Sequence, residues 1–222
     1  MIVRIIEEEI EKQLFKGKAI IVLGARQTGK TTLFQKIVEN KKNALWLNAD
    51  DPDTVALFEN STSTRLKATL AGHSIVFIDE AQRIPNIGLK LKLITDQIKE
   101  IQLLATGSSA FELANKINEP LTGRKWEYNL FPLSFSEMVK HHGFLEENRL
   151  IPIRLVYGYY PEIVSNPGNE KKILKQISDS YLYKDILMWE RIKKPEKLIK
   201  LLQALSLQIG SEVSYNNLAN LL

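Results

Sequence analysis

The residues best suited to chemistry form one stretch, Gly24 to Thr32, reading Gly-Ala-Arg-Gln-Thr-Gly-Lys-Thr-Thr. It fits the pattern G-x-x-x-x-G-K-[ST] of a phosphate-binding loop. Gly24 and Gly29 allow the backbone to curl, so that successive N–H groups face an anion. The helix expected next adds the positive end of its dipole to that field. Lys30 supplies a mobile charge for the outer phosphates, and the Thr31 hydroxyl can ligate Mg²⁺. A glycine-rich turn with a stray lysine is the bland alternative. The apolar run Ala19-Ile20-Ile21-Val22-Leu23 before the loop and the helix-compatible Leu33 to Val38 after it argue against that alternative. The stretch therefore predicts binding of a nucleoside triphosphate.

Asp79 and Glu80 are the second signal. They end the run Ser74-Ile-Val-Phe-Ile, where Asp79 can hold Mg²⁺ opposite Thr31. Glu80 projects differently and can orient an attacking water or accept its proton. Ser108, or with less support Thr106 or Ser109, can reach the terminal phosphate or that water; an ordinary helix cap is the alternative. Arg124, on a glycine-containing loop, can stabilise charge on the transferred phosphoryl group or be a surface arginine. Arg26 and Gln27 read as exposed loop positions, and Gln82-Arg83 as a solvated turn or a coupling to the next helix. His141-His142 has no nearby ligand set and reads as a surface pair, while Trp126 and Trp189 read as core anchors.

The elements needed to position these groups follow from periodicity. Ile5, Ile6, Ile10 and Leu14 fall at helical spacing and end at Gly17. Short apolar runs at 19–23, 44–47, 75–78 and 101–105 read as strands, with a further strand at 126–130. Between them, Asp51 or Asp53 is expected to cap a helix through Phe58, and Ile87, Leu91, Ile94 and Ile98 share one helical face. Phe111 to Ile117 reads as a short helix. Strands alternating with amphipathic helices predict an α/β fold with a parallel sheet covered on both faces. Ligands in such sheets lie beyond the carboxyl ends of the strands. The polar groups of Thr28–Thr31, Asp79-Glu80 and Thr106–Ser109 are thus expected to converge.

After Pro132 the character becomes helical: Phe135 to His142, a break over Gly143 to Pro152, then Glu170 to Arg191 and Glu196 to Ile209. A last helix begins near Val213, capped by Ser214. An apolar helix running to Leu222 predicts further chain beyond it. The expected organisation is a core over 1–135, a helical lid or linker over 136–194 and a partial winged helix over 195–222.

Composition sets wider limits. The chain has 222 residues, enough for one core and a smaller module. A net charge of +4 permits, without requiring, contact with nucleic acid. With no cysteine there is neither a disulfide nor a thiolate zinc site. No stretch reaches the roughly 18 apolar residues of a membrane span, and Glu7-Glu8-Glu9 is wrong for a signal peptide. The expected location is cytoplasmic, with no membrane partner.

Five segments then carry a resemblance: Gly24 to Thr32, Val76 to Asn86, Leu104 to Ser109, Leu121-Thr-Gly-Arg124, and Leu130 to Glu137 reading Leu-Phe-Pro-Leu-Ser-Phe-Ser-Glu. In this order they resemble a prokaryotic group of AAA-superfamily ATPases, similar to the archaeal-type ATPases and carrying a C-terminal domain of unknown function. The resemblance implies a P-loop NTPase sheet of order 5-1-4-3-2, with ATP and Mg²⁺ as cofactors. It implies a Walker A loop in which Gly24, Ala25, Gln27, Thr28, Gly29, Lys30, Thr31 and Thr32 hold the nucleotide. Asp79 and Glu80 would be Walker B, with Thr31 and Asp79 at the metal and Glu80 and Lys30 in catalysis. Ser108 would be the polar sensor and Arg124 a finger acting in its own chain or a neighbouring one. Gly158-Tyr159-Tyr160-Pro161 resembles a Gly-Gly-x-Pro turn, with Tyr159 in place of the second glycine. Leu198 to Leu222 resembles the first two helices of a winged helix.

The leading expectation is an Mg²⁺-dependent ATPase that couples nucleotide state to its C-terminal helices. The alternative is a nucleotide-gated switch with slow hydrolysis, and a small-molecule kinase ranks third because no arginine-rich lid is visible. The expected partners are ATP, a second copy of the chain if Arg124 acts between subunits, and DNA or protein met by the C-terminal modules. ATP is preferred over GTP because no guanine-reading Asn/Thr-Lys-x-Asp motif is present.

Overall fold

The computed structural model describes residues 2–39, 41–59, 61–107, 117, 119–179 and 195–221. Five strands form one parallel sheet: β1 (Ala19–Leu23), β2 (Ala44–Asn48), β3 (Ile75–Asp79), β4 (Gln102–Gly107) and β5 (Lys125–Asn129). Their order is β2-β3-β4-β1-β5, which is the expected 5-1-4-3-2 read from the other edge. All residues of β1 and β4 are buried, as their uninterrupted apolar character requires of central parallel strands. β4 continues through Thr106 and Gly107, past the expected end at Ala105.

Alternate residues of each strand serve opposite faces. On one face Ile21, Leu23, Val76, Ile78, Leu103 and Ala105 pack against α3 (Pro52–Glu59), α4 (Ser63–Leu70) and α5 (Ile87–Gln97). The expected stripe of Ile87, Leu91, Ile94 and Ile98 is buried there. Asp51 is the cap of α3, its Oδ1 accepting from Asp53 N at 3.0 Å. On the other face Ile20, Val22, Ile75, Phe77 and Leu104 meet Ile10 of α1 (Ile5–Gln13) and Leu33, Phe34 and Ile37 of α2 (Lys30–Val38). Trp126 packs against this second cluster with Lys18 over its ring; Trp189 lies outside the described residues.

After β5 come α6 (Phe135–His142), α7 (Phe144–Tyr157) and α8 (Pro161–Ser165). The break expected over Gly143 to Pro152 is instead the first part of α7, with Pro152 inside the helix. A proline in a helix interior sacrifices a backbone bond, at roughly 3 kcal/mol. The helix nevertheless runs through it, and Glu147 and Arg154, on either side of Pro152, form a buried pair with Nε and Oε1 3.2 Å apart. Gly158 alone takes a positive φ, +78°, so Tyr159 occupies its place in the turn without needing a glycine backbone.

The chain divides into two compact units, Met1–Pro167 and Gly168–Leu222. The second contains α9 (Glu170–Ile177), α10 (Pro195–Ser206) and α11 (Tyr215–Leu221). α10 stops three residues before the expected Ile209. Ser214 Oγ accepts from Asn217 N at 3.4 Å at the start of α11. Among the described residues no helix is long and apolar enough to cross a membrane.

Candidate functional site: the loop after the first strand

The loop between β1 and α2 sits at the carboxyl end of the sheet and is shaped by close backbone contacts. Leu130 N donates to Leu23 O at 2.7 Å, pulling the chain after β5 against the loop's start. A Cβ on Gly24 would lie 2.3 Å from the Leu130 carbonyl oxygen, so no larger residue fits without displacing backbone. Gly29, at φ +92°, is the left-handed cap of α2, and Gln27 is also left-handed at +62°. Thr28 is fully buried and its Oγ1 donates to Ala25 O at 2.9 Å, closing the curl. Lys30 Nζ donates to Gly24 O at 3.0 Å and Ala25 O at 2.9 Å, which places its ammonium across the loop. The amides of Thr31 and Thr32 precede the first helical bond of α2, made by Leu33 N to Gly29 O at 2.9 Å.

The acid at the tip of β3 meets this loop. Thr31 Oγ1 donates to Asp79 Oδ2 at 2.7 Å. The other oxygen, Oδ1, accepts from Thr106 Oγ1 and, at 3.2 Å, from Glu80 N. Glu80 N also lies 3.2 Å from Thr106 Oγ1. Thr106, one of the candidate sensors, is thus hydrogen-bonded to the acid at the tip of β3. Glu80 has a left-handed backbone, φ +51°, and its Oε2 accepts from Gln82 Nε2 at 2.5 Å. Gln82 is buried, not the solvated turn residue that was one reading of it.

Ser108 and Ser109 lie outside the described residues. Arg124 is not brought to the loop. It precedes β5 at the amino end of the sheet, where its carbonyl accepts from Ala19 N at 2.9 Å and its Nε donates to Asp96 at 2.6 Å. The loop lies at the opposite end of the same strands, about 16 Å away at the usual rise per residue. A finger role for Arg124 within its own chain is thus excluded.

Two buried clusters escaped the sequence reading. Arg4 is only 9% exposed. It donates through Nη1 to Thr28 O at 2.7 Å, through Nη2 to Phe131 O at 2.5 Å and through Nε to Glu137 Oε1 at 3.0 Å. Glu137 accepts as well from Ile5 N at 2.9 Å and Ser134 N at 2.8 Å. Burial opposes ionisation of Glu137, but the two amides and Arg4 outweigh it and hold its carboxyl below the ordinary range. The spacing Ser134-x-x-Glu137 of a capping box was the available signal for Glu137; nothing in the period of α1 marks Arg4. In the second cluster Glu147, with no exposed surface, accepts from His142 Nε2 at 2.8 Å and from Arg154 and Tyr159. His141 and His142 are both exposed, as expected of a surface pair, and His142 is in addition the partner of this buried carboxylate.

The family profile of the AAA domain matches residues 16–139, more than half of the chain and all of the sheet. This chain belongs to the AAA domain family. Residues 148–222 match a domain of unknown function. An uncharacterized protein of Methanocaldococcus jannaschii is 25% identical over 236 aligned residues, covering 99% of this AAA chain and 53% of that protein. An uncharacterized Haemophilus influenzae protein is 25% identical over 224 residues, covering 91% and 54%. The AAA chain thus spans about half the length of these relatives. In structure it is similar to the Walker-type ATPase of Pyrococcus abyssi, with a TM-score of 0.59, 16% identity and coverage of 100% of this chain and 88% of that one. That likeness shows the P-loop NTPase-like fold, and family and fold together support binding of ATP.

Proposed function

We propose that this AAA protein binds Mg²⁺–ATP at Gly24–Thr32 and hydrolyses it. The observation that carries the reading is the 2.7 Å approach of the Thr31 hydroxyl to the Asp79 carboxylate. A hydroxyl and a carboxylate side by side at a helix N-terminus are a donor set suited to Mg²⁺, which takes few protein oxygens and completes its shell with phosphate and water. The metal would be held by Thr31 and Asp79, and when bound it would neutralise charge on the outer phosphates. The nucleotide would be held by the backbone of Gly24, Ala25 and Gln27 to Thr32.

The chain's own groups divide the remaining tasks. Lys30 can exchange the Gly24 and Ala25 carbonyls for phosphate oxygens without a change of backbone. Glu80, adjacent to Asp79 but hydrogen-bonded to Gln82, is the group left to orient water and take its proton. Gln82 in turn holds that carboxylate in one orientation. Ser108 remains the proposed sensor. Any part for Arg124 in turnover requires a second copy of the chain, and DNA or protein would be engaged through the C-terminal helices.

Glu80→Gln tests the reading. Nucleotide titration should give unchanged affinity for Mg²⁺–ATP, while phosphate release falls by about a hundredfold or more, the usual range for a lost general base. Undiminished phosphate release removes Glu80 from the chemistry. A second reading, a nucleotide-gated switch with slow turnover, draws on the same Glu80–Gln82 bond, which occupies one oxygen of the base. Slow wild-type hydrolysis that accelerates in Gln82→Ala favours it.

A further inference from the structure

Arg4 is bound on every side by protein groups. Its three nitrogens donate to Thr28 O, Phe131 O and the Glu137 carboxylate, with Pro132 O a more distant acceptor at 3.5 Å. It is thus not placed as a phosphate ligand itself. What it grips matters more. The Thr28 carbonyl belongs to the same planar trans peptide as the Gly29 N–H, and in such a unit the two point in opposite directions. A guanidinium fixed on the carbonyl therefore turns the Gly29 N–H away from itself. The far side of Arg4 is anchored just as firmly. Both Glu137 oxygens are engaged, Oε1 by Arg4 and Ile5 N, Oε2 by Ser134 N, and Ser134 with Glu137 is the capping box that starts α6. The Leu130 carbonyl meanwhile sits against Gly24. One side chain from the beginning of the chain thus joins the phosphate loop to the first turn of α6.

We infer that Arg4 is a positioning residue for the phosphate loop, aiming the Gly29 amide at the anion, and that it passes nucleotide occupancy to the start of α6 through Glu137. The inference rests on the proposed reading that the loop takes the phosphates of ATP. An anion that draws on the Gly29 N–H polarises its peptide and strengthens the carbonyl's bond to Arg4. That tightens the Arg4–Glu137 contact and with it the helix cap.

Two measurements on the 222-residue chain test this. In the wild type, amide hydrogen exchange across residues 131–138 should slow when Mg²⁺ and the slowly hydrolysed analogue ATPγS are added. In Arg4→Lys, which keeps the charge but loses the three-way fork, the Kd for the analogue should rise about tenfold, the scale of one charge-assisted hydrogen bond. The slowing at 131–138 should then disappear even at saturating analogue. A purely structural Arg4 would lower the apo melting temperature yet leave Kd and the exchange response intact, and that outcome overturns the inference. If Arg4→Lys does not fold, the wild-type exchange decides alone: bound analogue without slowing at 131–138 overturns it. Failure of the wild type to bind the analogue at all is a separate result, against the ATP reading.

Discussion

The Thr31 hydroxyl and the Asp79 carboxylate are hydrogen-bonded at 2.7 Å although 48 positions separate them in the chain. Their meeting follows from the sheet. β1 and β3 are both neighbours of β4, all three run parallel, and Val22 and Thr106 are in register. The carboxyl ends of the three strands therefore present the loop, the acid and the Thr106 hydroxyl together.

From that relationship follows the metal prediction. Asp79→Asn keeps the size but removes the charge opposite Thr31 and replaces one accepting oxygen with a donor. Titration of ATP with and without Mg²⁺ should show wild-type affinity rising with the metal and the variant's affinity no longer doing so. The lost gain should amount to about tenfold or more, since a carboxylate is the usual protein ligand of this hard ion. An Asp79→Asn protein that still gains affinity from Mg²⁺ argues that the metal lies elsewhere.

Gly24 gives a prediction of another kind. Its α-carbon faces the Leu130 carbonyl so closely that an added methyl would reach 2.3 Å, and the obstacle is backbone, not a movable side chain. Gly24→Ala should cost about 1–3 kcal/mol in urea unfolding, the range for forced overpacking. It should also weaken ATP binding, because the loop must move to admit the methyl. Gly17→Ala is the control. Gly17 has φ +72° but open space around it, so its alanine variant should lose stability through backbone strain and retain nucleotide affinity. Equal binding losses in the two variants would falsify the local explanation.

Much of this site is legible in the sequence because strand tips and loop spacing are local properties. The loop's glycines, Lys30 and Thr31 announce themselves by spacing, and Asp79-Glu80 by its place after four apolar residues. What spacing does not carry is the identity of partners far away in the chain. Thr106 is marked by spacing only as a polar strand end, and its partner Asp79, 27 positions away, is set by the register. Arg4 belongs to no motif and simply precedes an amphipathic helix, yet its acceptors lie 24, 127 and 133 positions away. Pro152 breaks a helix by local rules, yet the helix runs through it from Phe144 to Tyr157, with Glu147 and Arg154 paired on either side. Arg124 fails as a same-chain finger for a similar reason. Its loop has suitable residues, but β5 enters the sheet from the end remote from the phosphate loop.

The Glu147–Tyr159 contact predicts a pH dependence. Burial and then the hydrogen bond to Glu147 raise the Tyr159 hydroxyl from its ordinary 10.0 to about 12. Because the folded value lies above the unfolded one, the stabilisation is complete below about pH 10 and is lost as pH rises through about 12. Glu147 titrates with the opposite sense. Burial alone would raise it, but Tyr159, Arg154 and His142 together hold it below its ordinary 4.5, so its contribution is present above that value and lost in acid. Tyr159→Phe should destabilise the protein by about 1–2 kcal/mol at pH 7, the cost of withdrawing a donor from a buried carboxylate. The gap between wild type and Tyr159→Phe in chemical denaturation should stay constant from pH 7 to 10 and narrow towards pH 12, where the wild-type phenol ionises. A gap that stays unchanged across that alkaline range rules out the hydroxyl as the source of the effect.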